Sequence, residues 1–185
     1  MVPAASQPPG AVSTRGTGTE LALVRPGSPA DLERSLAHFT SISLSLVLSP
    51  PGGEEEEWAT GFARARSASW ARSAALARRA STESDQALAA RAWPALEQEL
   101  ARGHVRVLAV LSHDVLCVSL ACALGFPLAR TRSVRVDPGH LVLLRDDPIG
   151  VVLRRSNVLS PEELSGTPLP SGLGIPARRG QEGTG

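Results

Sequence analysis

The fold this sequence predicts is a three-layer α/β/α domain built on a mostly parallel sheet. Three observations carry the prediction. Short apolar runs such as Leu21–Val24 and Val105–Leu111 have the length and composition of buried strands. Segments with apolar residues at helical spacing and recognisable capping residues lie between them. The two kinds of segment alternate along the chain, which is the signature of helices packed on a largely parallel sheet.

Leu21–Val24 reads as the first strand, closed by Arg25-Pro26-Gly27. Ser28 is a good N-cap, with Pro29 at the first helical position and Asp31 three residues beyond the cap. Leu32, Leu36 and Phe39 follow at helical spacing. Ile42–Leu48 alternates with serines before becoming fully apolar, a second strand that Pro50-Pro51-Gly52-Gly53 ends. From Glu54 to Arg79 the chain is mostly Ala, Arg, Ser and Glu with two tryptophans, compatible with a helix of thin apolar face. Thr82 and Asp85 form a second capping pattern, and Leu88, Ala92, Leu96 and Leu100 then recur every four residues. Pro94 is expected to kink or split that helix, and Gly103 to stop it. Val105–Leu111 reads as a central strand and Asp114–Leu124 as a helix ended by Gly125. Val134–Val136, Leu141–Leu144 and Val151–Leu153 read as later strands.

The chain has 185 residues and a formal net charge of +1, enough for one domain and without the basic surplus of a dedicated nucleic-acid binder. Residues 1–19 and 164–185 are rich in Pro, Gly, Ser and Thr without periodicity, and are expected to be a disordered leader and tail around a body of residues 20–163. All 19 basic residues are arginine, which removes lysine chemistry such as a P-loop lysine or a Schiff base. Tyrosine is absent and aromatics make up 3%, so base-stacking platforms are not expected. Cys117 and Cys122 are too few for a disulfide framework or a zinc site and read as reduced core residues. The apolar run Val107–Leu128 contains His113 and Asp114, so it reads as a strand turning into a helix rather than a membrane span. No secretory signal is apparent, and a cytoplasmic location without membrane contact is expected.

Ligands of such sheets bind beyond the carboxyl ends of the strands. Arg25 ends the first strand, and Ser112-His113 ends the central one while opening a helix. A guanidinium fork and an imidazole at a helix N-terminus suit a phosphate. His38, His104 and His140 read as surface or packing residues, and no triad, metal-ligand cluster or glycine-rich phosphate loop is apparent.

These residues carry a resemblance. Leu21-Ala22-Leu23-Val24-Arg25-Pro26-Gly27 is similar to the opening strand of the histidine phosphatase (phosphoglycerate mutase-like) superfamily, whose signature reads Leu-Val-Arg-His-Gly. Thr82-Glu83-Ser84 and the helix with Arg91-Ala92-Trp93-Pro94 resemble its Gly-Glu-Ser segment. Val107–Asp114 resembles its second catalytic strand, and Val134–Gly139 and Asn157 continue in family order. The resemblance implies a phosphoglycerate mutase-like fold and phosphoryl transfer from a monoester through a phosphohistidine, without metal or other cofactor. It places Arg25 on the first phosphate-binding arginine and His113 on the second histidine. The nucleophile's position is Pro26, whose side chain offers no nucleophile and whose backbone offers no N–H. The second arginine's helix looks deleted after Ser49-Pro50, leaving Arg64 or Arg66 as substitutes. The family's acid falls within Glu54–Glu57, with Glu57 as the candidate. The expected function is therefore that of a degenerate histidine phosphatase, catalytically impaired, that binds a phosphorylated small molecule or phosphate. The alternatives are an active phosphomonoester hydrolase using His113 and Arg25 with another nucleophile, and an α/β domain sharing only the fold. Oligomeric state is not legible.

Overall fold

The computed structural model describes residues 18–28, 30, 31, 33, 34, 43–147 and 150–158. The expectations for residues 1–17 and 159–185, and those for Pro29, Leu32, Leu36, His38, Phe39 and Ile42, lie outside the described residues. Among the described residues, six strands and three longer helices follow in the order β1 (Glu20–Val24), β2 (Leu46–Ser49), α1 (Gly53–Arg66), β3 (Ser69–Arg72), α2 (Asp85–Ala101), β4 (Arg106–Val110), α3 (His113–Leu124), β5 (Leu141–Asp147) and β6 (Gly150–Val158). Short 3-10 turns occupy Ala74–Leu76 and Leu128–Ser133.

The strands form one sheet of order β3-β2-β4-β1-β5-β6. The pairs β1/β4, β2/β4 and β2/β3 are parallel, whereas β5 and β6 add antiparallel strands at one side. Alternation along the strands explains the three layers. Leu21, Leu23, Leu46, Leu48, Val107 and Ala109 point into a core with α2 and α3. Their neighbours Ala22, Val24, Val47, Leu108 and Val110 point to the other face, where α1 supplies Trp58, Ala59, Phe62 and Ala63. Strands buried on both faces must be apolar throughout, which is why the sequence shows runs rather than alternation. The expected three-layer architecture on a mostly parallel sheet is the one observed.

Several local expectations are corrected. The stretch 54–79 is not one helix, because Ser67 turns the chain with φ 51° and Ser69–Arg72 then pairs with β2 as an edge strand. Trp70 stabilises this edge through a 3.2 Å bond from its Nε1 to Ser49 Oγ. The cap of α2 is Ser84 rather than Thr82, its hydroxyl accepting from Ala87 N at 3.1 Å. That helix runs unbroken through Pro94. Pro94 and Ala90, whose carbonyl the proline ring orphans, are both exposed, so water can satisfy the freed group. Val134–Val136 is not a strand, although Val136 is buried beside α2 and α3, so its apolarity signalled burial alone. The run Val107–Leu128 divides into β4 and α3, and among the described residues no helix is long and apolar enough to cross a membrane.

Candidate functional site

Parallel pairing of β1 with β4 places their carboxyl ends side by side. Val24 lies opposite Val110, and Leu111 N donates to Val24 O at 2.9 Å. The residues that follow each strand, Arg25-Pro26 and Ser112-His113-Asp114, therefore open into one cavity of about 400 Å³. Glu54, Glu55, Arg78 and Arg79 complete its lining.

The β1 side is pinned by backbone contacts. Gly139 N donates to Arg25 O at 2.8 Å. Gly139 has φ 75°, and a Cβ there would sit 2.2 Å from Asp31 Cβ, so the position demands glycine. Asp31 is fixed in turn by the expected capping box: its Oδ2 accepts from Ser28 N and Oγ, both at 2.8 Å, while Asp31 N donates to Ser28 Oγ at 3.3 Å. These Ser28 bonds hold the Asp31 carboxyl below its ordinary range. Pro26 is buried in this loop and lines the cavity.

On the β4 side, α3 begins at His113 with its first-turn N–H groups at the cavity, a favourable end for an anion. Ser112 Oγ is buried there without a hydrogen-bond partner among the described residues. His113 lies 3.7 Å from Cys117 Sγ, one helical turn on. Burial, helped by Asp114 and opposed by Arg25, pushes the Cys117 thiol up to about 11, so it stays a thiol at neutral pH. The opposition from Arg25 reflects its closeness to the first turn of α3. Cys122 is also raised by burial, and both cysteines are free as expected.

The remaining wall is built by charge. Glu55 is buried, 2% exposed, and takes Arg78 in a fork: Nε to Oε1 at 2.9 Å and NH2 to Oε2 at 3.1 Å. This pairing raises the Arg78 pKa further. Arg79 pairs with Asp85 at the start of α2. The loop carrying both arginines is held by Arg91 of α2, which donates to the carbonyls of Ala75 (2.5 Å), Ala77 (2.9 Å) and Arg78 (3.3 Å). Glu83 fixes that guanidinium through bonds of 2.6 and 2.9 Å, and its own carboxyl is held low by Arg91.

The structure thus brings Arg25, Pro26 and His113 together, and leaves Glu57 and Arg64 outside. Glu57 is exposed further along α1 and borders a separate concavity near Gly52 and Thr60. Arg64 is exposed near the far end of the same helix. Of α1, only Glu54 and Glu55 of the first turn line the cavity. Sequence reasoning missed Arg78 and Arg79 because they were placed on a continuous helix; the signal that could have found them is the turn at Ser67. His104 lies 3.7 Å from Glu99 and His140 3.1 Å from Pro138 O, and neither lines the cavity.

The fold and the strand-end cavity define a class: a three-layer α/β protein whose site holds arginines and a histidine at a helix N-terminus. The sequence profile of the Histidine phosphatase superfamily (branch 1) matches residues 51–159, more than half the chain. The chain belongs to the histidine phosphatase superfamily. No curated protein matches it in sequence. Among solved structures, it is similar to the alpha-ribazole phosphatase from Shigella flexneri, with a TM-score of 0.64 at 16% identity over 77% of this chain and 98% of that one. It is also similar to a phosphoglycerate mutase from Plasmodium falciparum, with a TM-score of 0.59 at 19% identity over 78% and 93%. A third is a mutant phosphoserine phosphatase from Entamoeba histolytica in complex with phosphoserine, with a TM-score of 0.62 at 10% identity over 76% and 98%. These likenesses concern the fold.

Proposed function

We propose that this chain is a cytoplasmic histidine-phosphatase-like protein that binds a phosphorylated small molecule but has lost phosphohistidine turnover. The observation that carries the reading is the shared cavity: Arg25 and His113 converge on it, and Pro26 occupies the place next to Arg25. Arg25 supplies a guanidinium fork, His113 a ring N–H, and α3 its first-turn amides, a donor set suited to a phosphate dianion. Phosphoryl transfer through histidine needs a ring nitrogen in line with the leaving oxygen, and proline has none. The acid step is also undercut. Glu55 has both oxygens engaged by Arg78, and Glu54 lies 3.9 Å from the same arginine. In this reading Arg78 and Arg79, rather than Arg64, supply the further positive charge, and Glu54 or Glu55, rather than Glu57, stands nearest the family acid. The near-neutral net charge supports a small-molecule ligand over nucleic acid.

A second reading keeps hydrolase activity, with His113 itself as nucleophile; its place in a cavity lined by three arginines favours it. One pair of measurements separates the two. Thermal unfolding is followed with inorganic phosphate, and hydrolysis of a generic aryl phosphate is assayed beside His113→Ala. The proposal expects phosphate to raise the unfolding temperature, with the gain lost in Arg25→Ala, and no turnover that His113→Ala abolishes. Turnover removed by His113→Ala overturns the impaired reading; no protection by phosphate overturns the binding one.

A further inference from the structure

Glu55 is a carboxylate in an apolar position. The buried side of α1 is Glu55, Trp58, Ala59, Phe62 and Ala63, the spacing of a core-facing stripe, and the acid stands at its first turn. Only 2% of it is exposed, so water cannot solvate its charge. Two features compensate. The N-terminal end of the helix favours an anion, and Arg78 grips the carboxylate in its two-point fork, at 2.9 and 3.1 Å. The Arg78 side chain is itself 62% exposed and lines the cavity.

Charge on the cavity wall is thereby offset from within. The lining carries three arginines, Arg25, Arg78 and Arg79, and three carboxylates, Glu54, Glu55 and Asp114. A phosphate approaching Arg78 competes with a carboxylate that already fills the Nε–NH2 edge, an edge shaped for a bidentate oxyanion. The contest is uneven. Phosphate can return to water, whereas Glu55 stripped of Arg78 would be a buried charge without its counter-ion. The backbone of Arg78 is held separately, its carbonyl accepting from Arg91 at 3.3 Å, so removing the carboxylate frees the guanidinium without releasing the loop.

Resting on the phosphate-binding reading above, we infer that Glu55 sets the strength and the seat of phosphate binding by acting as an internal competitor for Arg78. In the wild-type cavity the phosphate takes its direct bonds from the strand-end wall of Arg25 and His113, and the fork of Arg78 stays on Glu55.

The test titrates inorganic phosphate into the full chain by calorimetry, comparing wild type with Glu55→Gln, Glu54→Gln and the double variant Glu55→Gln/Arg78→Gln. Glu55→Gln is expected to bind phosphate roughly tenfold more tightly, the size of one charge-assisted contact. Glu54→Gln removes the same charge from the same wall, but Glu54 lies 3.9 Å from Arg78 and is half exposed, so its gain should stay within about twofold. The double variant should lose the Glu55→Gln gain. A gain at Glu54→Gln as large as at Glu55→Gln, or one that survives the loss of Arg78, overturns the inference, as does no gain at all. Wild type gives a second readout where a variant fails to fold. Saturating phosphate should shift the nuclear magnetic resonance of the Arg25 Nε and leave that of Arg78 in place; a comparable shift at Arg78 overturns the inference. Phosphate binding by neither wild type nor any variant overturns the phosphate-binding reading instead.

Discussion

Two walls enclose the cavity, and they are made differently. The strand-end wall, Arg25-Pro26 and Ser112-His113, is placed by main-chain register between β1 and β4 and by the backbone bond from Gly139 to Arg25. The opposite wall, Arg78 and Arg79, sits on a loop fixed by side-chain charge: Glu55 on Arg78, Asp85 on Arg79, and the Arg91–Glu83 pair on the loop carbonyls. Backbone register survives most substitutions, because any residue can supply an N–H except proline. A charge-built wall depends on a few named side chains and on their ionisation. The superfamily's geometry is therefore retained where the backbone enforces it, while the proposed loss of chemistry falls on a residue, Pro26, that the backbone carries passively.

The sharpest way to break this contrast is to return chemistry to the strand-end wall. Pro26→His puts an imidazole beside Arg25 and across from His113. If the wall still has its geometry, aryl phosphate hydrolysis should rise at least about a hundredfold above the wild-type background, with an acid-labile phosphohistidine trapped on the variant. A variant that folds and binds phosphate but stays inactive would show that the lost acid, not only the lost nucleophile, disables the site.

The next largest effect falls on the backbone clip. Gly139→Ala drives a Cβ to 2.2 Å from Asp31 Cβ at φ 75° and should cost about 3 kcal/mol, read from the urea midpoint. Gly103→Ala is its control, with φ 79° and nothing within 4 Å of the added Cβ. Only conformational strain acts there, about 1 kcal/mol. Equal losses at the two glycines would mean that close packing between Gly139 and Asp31 contributes nothing to the wall.

What the sequence revealed follows the same division. The strand-end wall was legible because Leu21–Val24 and Val107–Leu111 are apolar runs ending in polar residues, and strand ends in such sheets form sites. Arg25 and His113 could be paired from those two segments alone. The charge-built wall was not legible. Ser69–Arg72 is a four-residue edge strand with little burial, too short and too polar to announce itself, so Glu54–Arg79 read as one helix and the loop with Arg78 and Arg79 vanished into it. Without that loop the partners of Glu55 and Arg91 had no visible purpose. Placement on α1 failed for a related reason: four consecutive glutamates look equivalent in sequence, and only the folded structure shows that Glu54 and Glu55, not Glu57, line the cavity.

The charge-built wall should yield to Arg91→Ala. This removes the donors to Ala75, Ala77 and Arg78 carbonyls from a side chain that is 28% exposed, so a loss of about 2 kcal/mol is expected, with weaker protection by phosphate as the loop loosens. Arg91→Lys should not restore it, since one ammonium cannot span the carbonyls and the carboxylate that the fork reaches. Full rescue by lysine would reduce the strut to simple charge.

The smallest effect is the pH dependence of that strut. Hydrogen bonds from Arg91 hold the Glu83 carboxyl below its ordinary range, helped by the Ala80 amide. A carboxyl lowered on folding stabilises the fold fully above its unfolded value, about 4.3, and that contribution drains away as pH falls through the lower folded value. Asp31 and Glu56 are lowered as well, the first by Ser28 and the second by the Gly52 amide and Arg72, so both add to the acid transition of the protein beside Glu83. Pairing wild type with Glu83→Gln isolates one of them. The wild-type advantage in urea midpoint should be constant from pH ~7 to ~5 and shrink toward zero below the ordinary glutamate range. An advantage that persists undiminished in acid would show that the Glu83 side chain acts through packing rather than through its charge, and the wall would then be less electrostatic than its contacts imply.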